Sequence, residues 1–239
     1  ETIIYRARRS RIRLIQRHGP PEHSLLDIRC GRGLIPAYFK KSGWRALGTA
    51  SSSEMVEAAR RLGADVIQAD VLDIPVDRPF GVVTLFHVIE HVRNLRAALD
   101  HVDRLLLPGG YLVLEYPNNR SLLKIVFQRR WFGYDPPFHR LLINPRILAD
   151  RLGLGNYRLI RESHFSPEYS FFIFAQSLAN FLLPFQRDAL YSLLRRRKLS
   201  ALERGAAYLT TLILVLSAPL FVLYQPVASL WRRGCIVRQ

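Results

Sequence analysis

Residues 25–33, Leu-Leu-Asp-Ile-Arg-Cys-Gly-Arg-Gly, restrict what this chain can fold into more than any other stretch. Leu25–Ile28 reads as a short buried strand. Gly31 and Gly33 allow the tight turn that follows, and helix-forming residues run from Leu34 to Lys41. A strand that ends in such a turn leaves backbone N–H groups free at a helix N-terminus, where they can hold a polar ligand.

Further strand–helix units follow. Trp44–Thr49 is an apolar run bounded by glycines, and Ser53 is placed to cap a helix over Glu54–Leu62. Asp65–Ala69 reads as a third strand ending at Asp70. Phe80–Phe86 is continuously apolar, as expected for a central parallel strand buried on both faces. A helix over Asn94–Leu107 stops at Pro108-Gly109-Gly110, and Tyr111–Tyr116 reads as the fifth strand. Tyr157–Glu162 and Gly234–Arg238 complete the strand set. Alternating strands and helices predict an α/β fold, a Rossmann-like, doubly wound, seven-stranded, mostly parallel sheet. The predicted division is an amphipathic helix over 1–20, a core domain over 21–165 with an Arg-, Pro- and aromatic-rich substrate cap at 118–145, a hydrophobic helical region over 166–233, and a last strand over 234–239.

The hydrophobic region carries no charge over Tyr169–Gln186, 18 residues, or over Gly205–Trp231, 27 residues. The second stretch has the length of a membrane span, but Pro219 splits it, and each half alone is shorter than a ~30 Å hydrocarbon core. If residues 234–239 rejoin the sheet, the chain must return to the side it left. This favours an interfacial or re-entrant helical hairpin inserted before the last strand, on the cytoplasmic face of a membrane; a buried helical pair or a dimer interface is the alternative. Arg195-Arg196-Arg197-Lys198 before the second stretch and Arg232-Arg233 after it suit anionic headgroups, as does the net charge of +16. Two cysteines, Cys30 and Cys235, make no disulfide framework, so a reducing compartment is expected. The chain opens on Glu1, so a trimmed N-terminus is expected, and its arginine-rich start lacks the apolar core of a signal peptide.

Leu25–Gly33 resembles the glycine-rich first motif of class I S-adenosylmethionine (SAM) dependent methyltransferases. The resemblance extends through Ala69-Asp70-Val71-Leu72-Asp73-Ile74-Pro75, Phe80–Val92 and Leu105–Glu115, and covers about residues 20–165. It is nearest to the branch that includes the ubiquinone-biosynthesis O-methyltransferases. The resemblance implies that SAM is the cofactor and that Asp27, Arg29, Cys30, Gly31 and Gly33 form the methionine-side turn. Ala50 and Ser51 then stand where the ribose is held, Asp70 and the Val71 N–H meet the adenine, and Phe86 and His87 line the floor near the sulfonium.

For a hydroxyl acceptor, His91 and His139 are the candidate general bases. His87-Val88-Ile89-Glu90-His91 also matches the H-x-x-E-H of inverted zinc peptidases, and on a helix 87, 90 and 91 would share a face. It follows a strand in register with the methyltransferase motifs, and no metal ligands are assigned. Relatives carry a carboxylate at the position of His87.

The chain departs from the family's pattern in three further places. Arg29 stands where glycine is usual, Arg32 where Thr or Ser is usual, and Ala50 where an acid grips the ribose hydroxyls. The expected activity is therefore methyl transfer from SAM to a small-molecule or lipid-like, membrane-linked acceptor, at oxygen. A degenerate methyltransferase fold acting as a membrane scaffold is the alternative. A nucleic-acid methyltransferase is disfavoured, because the arginines are spread throughout and no Asn/Asp-Pro-Pro-aromatic motif follows the fourth strand. A NAD-linked enzyme is disfavoured by the absence of G-x-G-x-x-G.

Overall fold

A computed structural model describes residues 2–18, 20, 22–135, 138–153, 157–163, 170–183, 188–194, 200–230 and 235–238. The basic residues at 195–198 and 232–233 lie outside this set. In chain order the elements are α1 (Thr2–His18), β1 (Ser24–Ile28), α2 (Leu34–Lys41), β2 (Arg45–Ala50), α3 (Ser53–Arg61), β3 (Asp65–Gln68), β4 (Phe80–Phe86), α4 (Leu95–Leu105), β5 (Leu106–Glu115), α5 (Leu122–Phe127), α6 (Pro145–Gly153), β6 (Arg158–Glu162), α7 (Ser170–Leu182), α8 (Ala189–Leu194), α9 (Ala201–Leu216), α10 (Ala218–Leu230) and β7 (Cys235–Arg238). They form two compact units. The first comprises Glu1–Pro117, Pro145–Glu162 and Gly234–Gln239, and the second comprises Asn118–Asn144 and Ser163–Arg233.

The first unit holds the sheet, in the order β3-β2-β1-β4-β5-β7-β6. The expected seven-stranded, mostly parallel sheet is a parallel sheet of five strands, β3 to β5, extended at one edge by the antiparallel strands β7 and β6. β1 pairs with β2 on one side and β4 on the other, so the chain order reverses there. In open α/β sheets the crevice at such a switch point, beyond the C-terminal strand ends, is where ligands bind. β1 is buried along its whole length, and β4 at all but its last residue. Ile12 and Ile15 of α1 and Ile35 and Phe39 of α2 cover Leu25, Val82 and Val113 of the sheet.

Local signals set the boundaries. Ser52, one residue before the expected Ser53, caps α3 by accepting from the Met55 N–H at 3.4 Å. Asn94 caps α4 by accepting from the Ala97 N–H at 3.1 Å. β5 begins at Leu106 instead of Tyr111. Leu106 pairs with Phe80 and Tyr111 with Val82, so Pro108-Gly109-Gly110 forms a bulge inside the strand, with Gly109 at φ 74°.

In the second unit Trp131, Leu123, Phe127 and Phe174 form a core, against which Phe221 and Tyr224 of α10 pack. α9 and α10 meet at a 53° bend, so the pair is a bent rod in place of the expected hairpin reversal. Among the described residues no single helix is long and apolar enough to cross a membrane.

Candidate active site

The turn after β1 is pinned to β2. Thr49 Oγ1 accepts from the Arg29 N–H at 3.0 Å, and the Thr49 carbonyl accepts from the Cys30 N–H at 2.9 Å. The turn then closes through the Gly33 N–H to the Cys30 carbonyl at 3.1 Å. Arg29, Gly31 and Gly33 all have left-handed backbones, at φ 54°, 59° and 72°. Arg29 therefore occupies a conformation that glycine adopts without strain.

The two glycines differ in what they serve. A Cβ on Gly33 would lie 2.6 Å from Ala59 Cβ and 2.9 Å from Ala64 Cβ, so its smallness serves helix packing. A Cβ on Gly31 would meet nothing within 4 Å, so this peptide faces open space and leaves room for a ligand. The half-buried Cys30 thiol packs over β2, where a Cβ on Gly48 would come within 2.5 Å of its sulfur. Burial pushes that thiol's pKa far up.

Asp27 is 2 % exposed, and its Oδ1 accepts from Thr84 Oγ1 at 2.7 Å. Desolvation lifts its pKa to about 6, against the opposing pull of the Thr84 hydroxyl and of the Arg11 and Arg8 charges. At neutral pH it is a buried carboxylate beside a turn with an open peptide face, an arrangement suited to an ammonium group.

At the end of β2 the Ala50 methyl is buried in an apolar cluster with Ala37, Val56 and Ala59. Ser51 is exposed beside it, whereas Ser52 is committed to the α3 cap. After β3, Asp70 is exposed and its Oδ1 accepts from the Val71 N–H at 2.8 Å, capping the single turn Val71–Asp73. That N–H, expected to meet an adenine ring, is thus engaged by Asp70.

At the end of β4, Phe86 lies under the Arg11 guanidinium, 4.2 Å from ring centroid to Cζ. His87 follows at φ 57°, its N–H donating to the Glu115 carbonyl at 2.8 Å. Its Nδ1 lies 3.2 Å from Glu90 Oε1 and its Nε2 lies 3.3 Å from Glu115 Oε1. Glu115 Oε2 accepts from Arg11 Nε at 2.8 Å. Burial alone would lower the His87 pKa, but the hydrogen bonds with Glu115 and Glu90 outweigh it and raise it to about 9. Burial likewise works against the Glu115 carboxylate, but His87 and Arg11 hold its pKa well below the usual range. Both ring nitrogens of His87 therefore face carboxylates.

The residues 87–91 do not form a helix. A bend at His87 leads into the single tight turn Ile89–His91, where the His91 N–H donates to the Val88 carbonyl at 3.0 Å. Glu90 is buried, and its Oε2 has no hydrogen-bond partner among the described residues. His139 belongs to the second unit, where its Nδ1 lies 2.9 Å from the Gly133 carbonyl.

The fold thus brings Asp27, Arg29, Gly31, Ala50, Phe86 and His87 to the C-terminal ends of β1, β2 and β4. Sequence reasoning missed Thr49, Arg11 and Glu115. Nothing in the spacing of Arg11 and Glu115 announces that they meet.

A family model described as a methyltransferase domain matches residues 1–182. Among curated proteins, the chain is 34% identical over 115 residues to the dTDP-3-amino-3,6-dideoxy-alpha-D-glucopyranose N,N-dimethyltransferase of Streptomyces fradiae, covering 44% of this chain and 45% of that one. It is 32% identical over 146 residues to a ubiquinone biosynthesis O-methyltransferase of Nitrobacter winogradskyi, covering 55% and 56%. The chain spans about half the length of these curated relatives. Among solved structures, a SAM-dependent methyltransferase from Archaeoglobus fulgidus superposes with a TM-score of 0.55 at 18% identity, covering 96% of this chain and 92% of that one; at this identity the likeness is one of fold.

Proposed function

The chain belongs to this methyltransferase-domain family, and from that premise we propose that it transfers a methyl group from SAM to a small-molecule acceptor that is lipid-like or membrane-linked, at oxygen, on the cytoplasmic face of a membrane. The observation that carries the cofactor half is the β1 turn, where a buried Asp27 carboxylate lies beside the open peptide face of Gly31 at the sheet's switch point. Curated relatives named as a ubiquinone biosynthesis O-methyltransferase and a dTDP-sugar N,N-dimethyltransferase support a small-molecule acceptor. The large apolar side chains that α9 and α10 expose, within the charge-free stretch Gly205–Trp231, support the membrane link.

Bound SAM would supply an electrophilic methyl on a sulfonium. The protein's own part is to bind and align. Asp27, ionised above its raised pKa, holds the ammonium group. Gly31 admits the methionine chain, Asp70 meets the adenine amino group, and Phe86 and His87 form the floor. Alignment in a desolvated site supplies much of the rate of such a displacement. Of the two histidines proposed as base, His91 lies on the unit that carries the turn and His139 on the other.

Ala50 favours a second reading, a methyltransferase fold that has lost its cofactor and serves as a scaffold, because its buried methyl offers the ribose hydroxyls no acceptor. Titration calorimetry with SAM separates the two. Saturable binding, followed by label transfer from methyl-labelled SAM into a membrane lipid extract, supports the enzyme. No heat at millimolar SAM supports the scaffold, and label found only in water-soluble products overturns the lipid-like acceptor.

A further inference from the structure

We infer that α9 and α10 lie in one leaflet of an anionic phospholipid bilayer, inserted from the side and not spanning it. The inference deepens the membrane-linked reading above and rests on it for what the surface is for. The observation is an inverted helix. In a water-facing helix the large apolar side chains point inward and the polar ones outward. α9 does the reverse. Its inward stripe is small or polar, with Ala206, Ala207, Thr210 and, just beyond its end, Ser217 all buried. This stripe allows close packing on α7 and α8. Its outward stripe is large and apolar. Tyr208, Leu212, Val215 and Leu216 are exposed, Tyr208 to 70%. α10 packs Phe221 and Tyr224 inward but continues the apolar outward face with Val222 and Leu223, the latter 71% exposed.

The helix hydroxyls suit an apolar surround. Thr210 Oγ1 donates to the Ala206 carbonyl at 2.8 Å, Thr211 Oγ1 to the Ala207 carbonyl at 2.9 Å, and Ser217 Oγ to the Leu214 carbonyl at 3.1 Å, so each is satisfied by its own helix without water. The 53° bend rules out a straight span through both helices, and α9 alone, 16 residues or roughly 24 Å, is shorter than the ~30 Å core. Charge selects the occupant. The uncharged stretch of 27 residues is preceded in sequence by Arg195-Arg196-Arg197-Lys198 and followed by Arg232-Arg233, which match anionic headgroups at both ends of an interfacial element.

The test is flotation of the whole chain on phosphatidylcholine vesicles with and without phosphatidylglycerol, in the absence of SAM, so that failure here is read separately from failure of cofactor binding in the calorimeter. Flotation on both is expected, stronger on the anionic vesicles at low salt. Leu212→Glu with Val215→Glu is expected to lower partitioning roughly tenfold or more. Substituting 195–198 and 232–233 by glutamine is expected to remove the preference for anionic lipid while leaving flotation on neutral vesicles. Val222→Glu on α10 and far-UV circular dichroism of each variant separate lost insertion from unfolding. A tryptophan placed at Val222 is expected to be quenched by lipids brominated near the headgroup. Folded glutamate variants that float like the parent overturn the inference. So does maximal quenching at the bilayer midplane. A chain that ignores vesicles but sediments as a dimer assigns the face to a second copy and overturns it as well.

Discussion

Arg11 Nε lies 2.8 Å from Glu115 Oε2, and this ion pair joins α1 to the end of β5 across 104 residues of sequence. The Arg11 side chain is only 6% exposed and that of Glu115 23%. Through His87 the pair extends to Glu90, so two cations and two carboxylates balance at the strand ends. Breaking a buried pair leaves the surviving charge uncompensated. Glu115→Gln is therefore expected to destabilise the protein by about 2–4 kcal/mol, and Arg11→Met by a similar amount. Urea unfolding of the singles and the double should give a coupling of about 1–3 kcal/mol. Additive effects would show that the contact carries little.

The same cluster fixes a pH dependence. His87 in the folded protein has a pKa raised from 6.5 to about 9 by Glu115 and Glu90, against its burial. Its stabilisation is fully present below pH 6.5 and is lost as pH rises through 9, because the folded state then holds a proton that the unfolded state has released. The depressed Glu115 matters only on the acid side. Stability is expected to fall by about 2–3 kcal/mol between pH 7 and pH 9.5, and His87→Gln should flatten that slope. Nitrogen-detected NMR should find the His87 ring still protonated at pH 8.

Asp27 sets binding against stability. Its pKa is raised by burial to about 6, so ionising it in the folded protein costs stability, which is recovered as pH falls through 6. Asp27→Asn is expected to raise stability at pH 7 by about 1–2 kcal/mol while weakening SAM binding at least tenfold, read by thermal melting and calorimetry on the same sample. In the parent, SAM affinity should decline as pH drops below 6. An affinity flat from pH 7.5 to 5 would remove Asp27 from the ammonium site.

Arg29 tests whether the turn is strained. At φ 54° a side chain costs about 1 kcal/mol relative to glycine, and glycine gives back part of that through the freer unfolded chain. Arg29→Gly should change stability by less than about 1 kcal/mol. If SAM affinity also stays constant, the guanidinium is a bystander; a tighter complex marks it as an obstruction.

What could be read in the chain was local. Gly31 and Gly33 announced the turn, and the unbroken apolar run of β4 announced a central strand. The charged cluster could not be read in the same way. Arg11, His87 and Glu115 have ordinary neighbours and no shared spacing, and only the alignment of α1 with the ends of β4 and β5 brings them together. Thr49 was hidden for a similar reason: in sequence it is one β-branched residue of a strand, while in the fold it holds the Arg29 and Cys30 N–H groups. The bend between α9 and α10 was marked by Pro219, but its angle depends on packing in the second unit.

Ala50 is the position where fold and chemistry pull apart. Its methyl is 1% exposed and packs with Val56 and Ala59, so a carboxylate there must leave that cluster to reach a ligand. Ala50→Asp is expected to cost about 1–3 kcal/mol of stability in the free protein. If the ribose lies at this strand end, the same change supplies the missing acceptor for its hydroxyls and should tighten SAM binding by roughly 5- to 150-fold. The bound protein would then recover stability in proportion to its tighter binding. Thermal melts with and without SAM read both effects at once. A variant that is destabilised and gains no extra protection from SAM would place the ribose elsewhere.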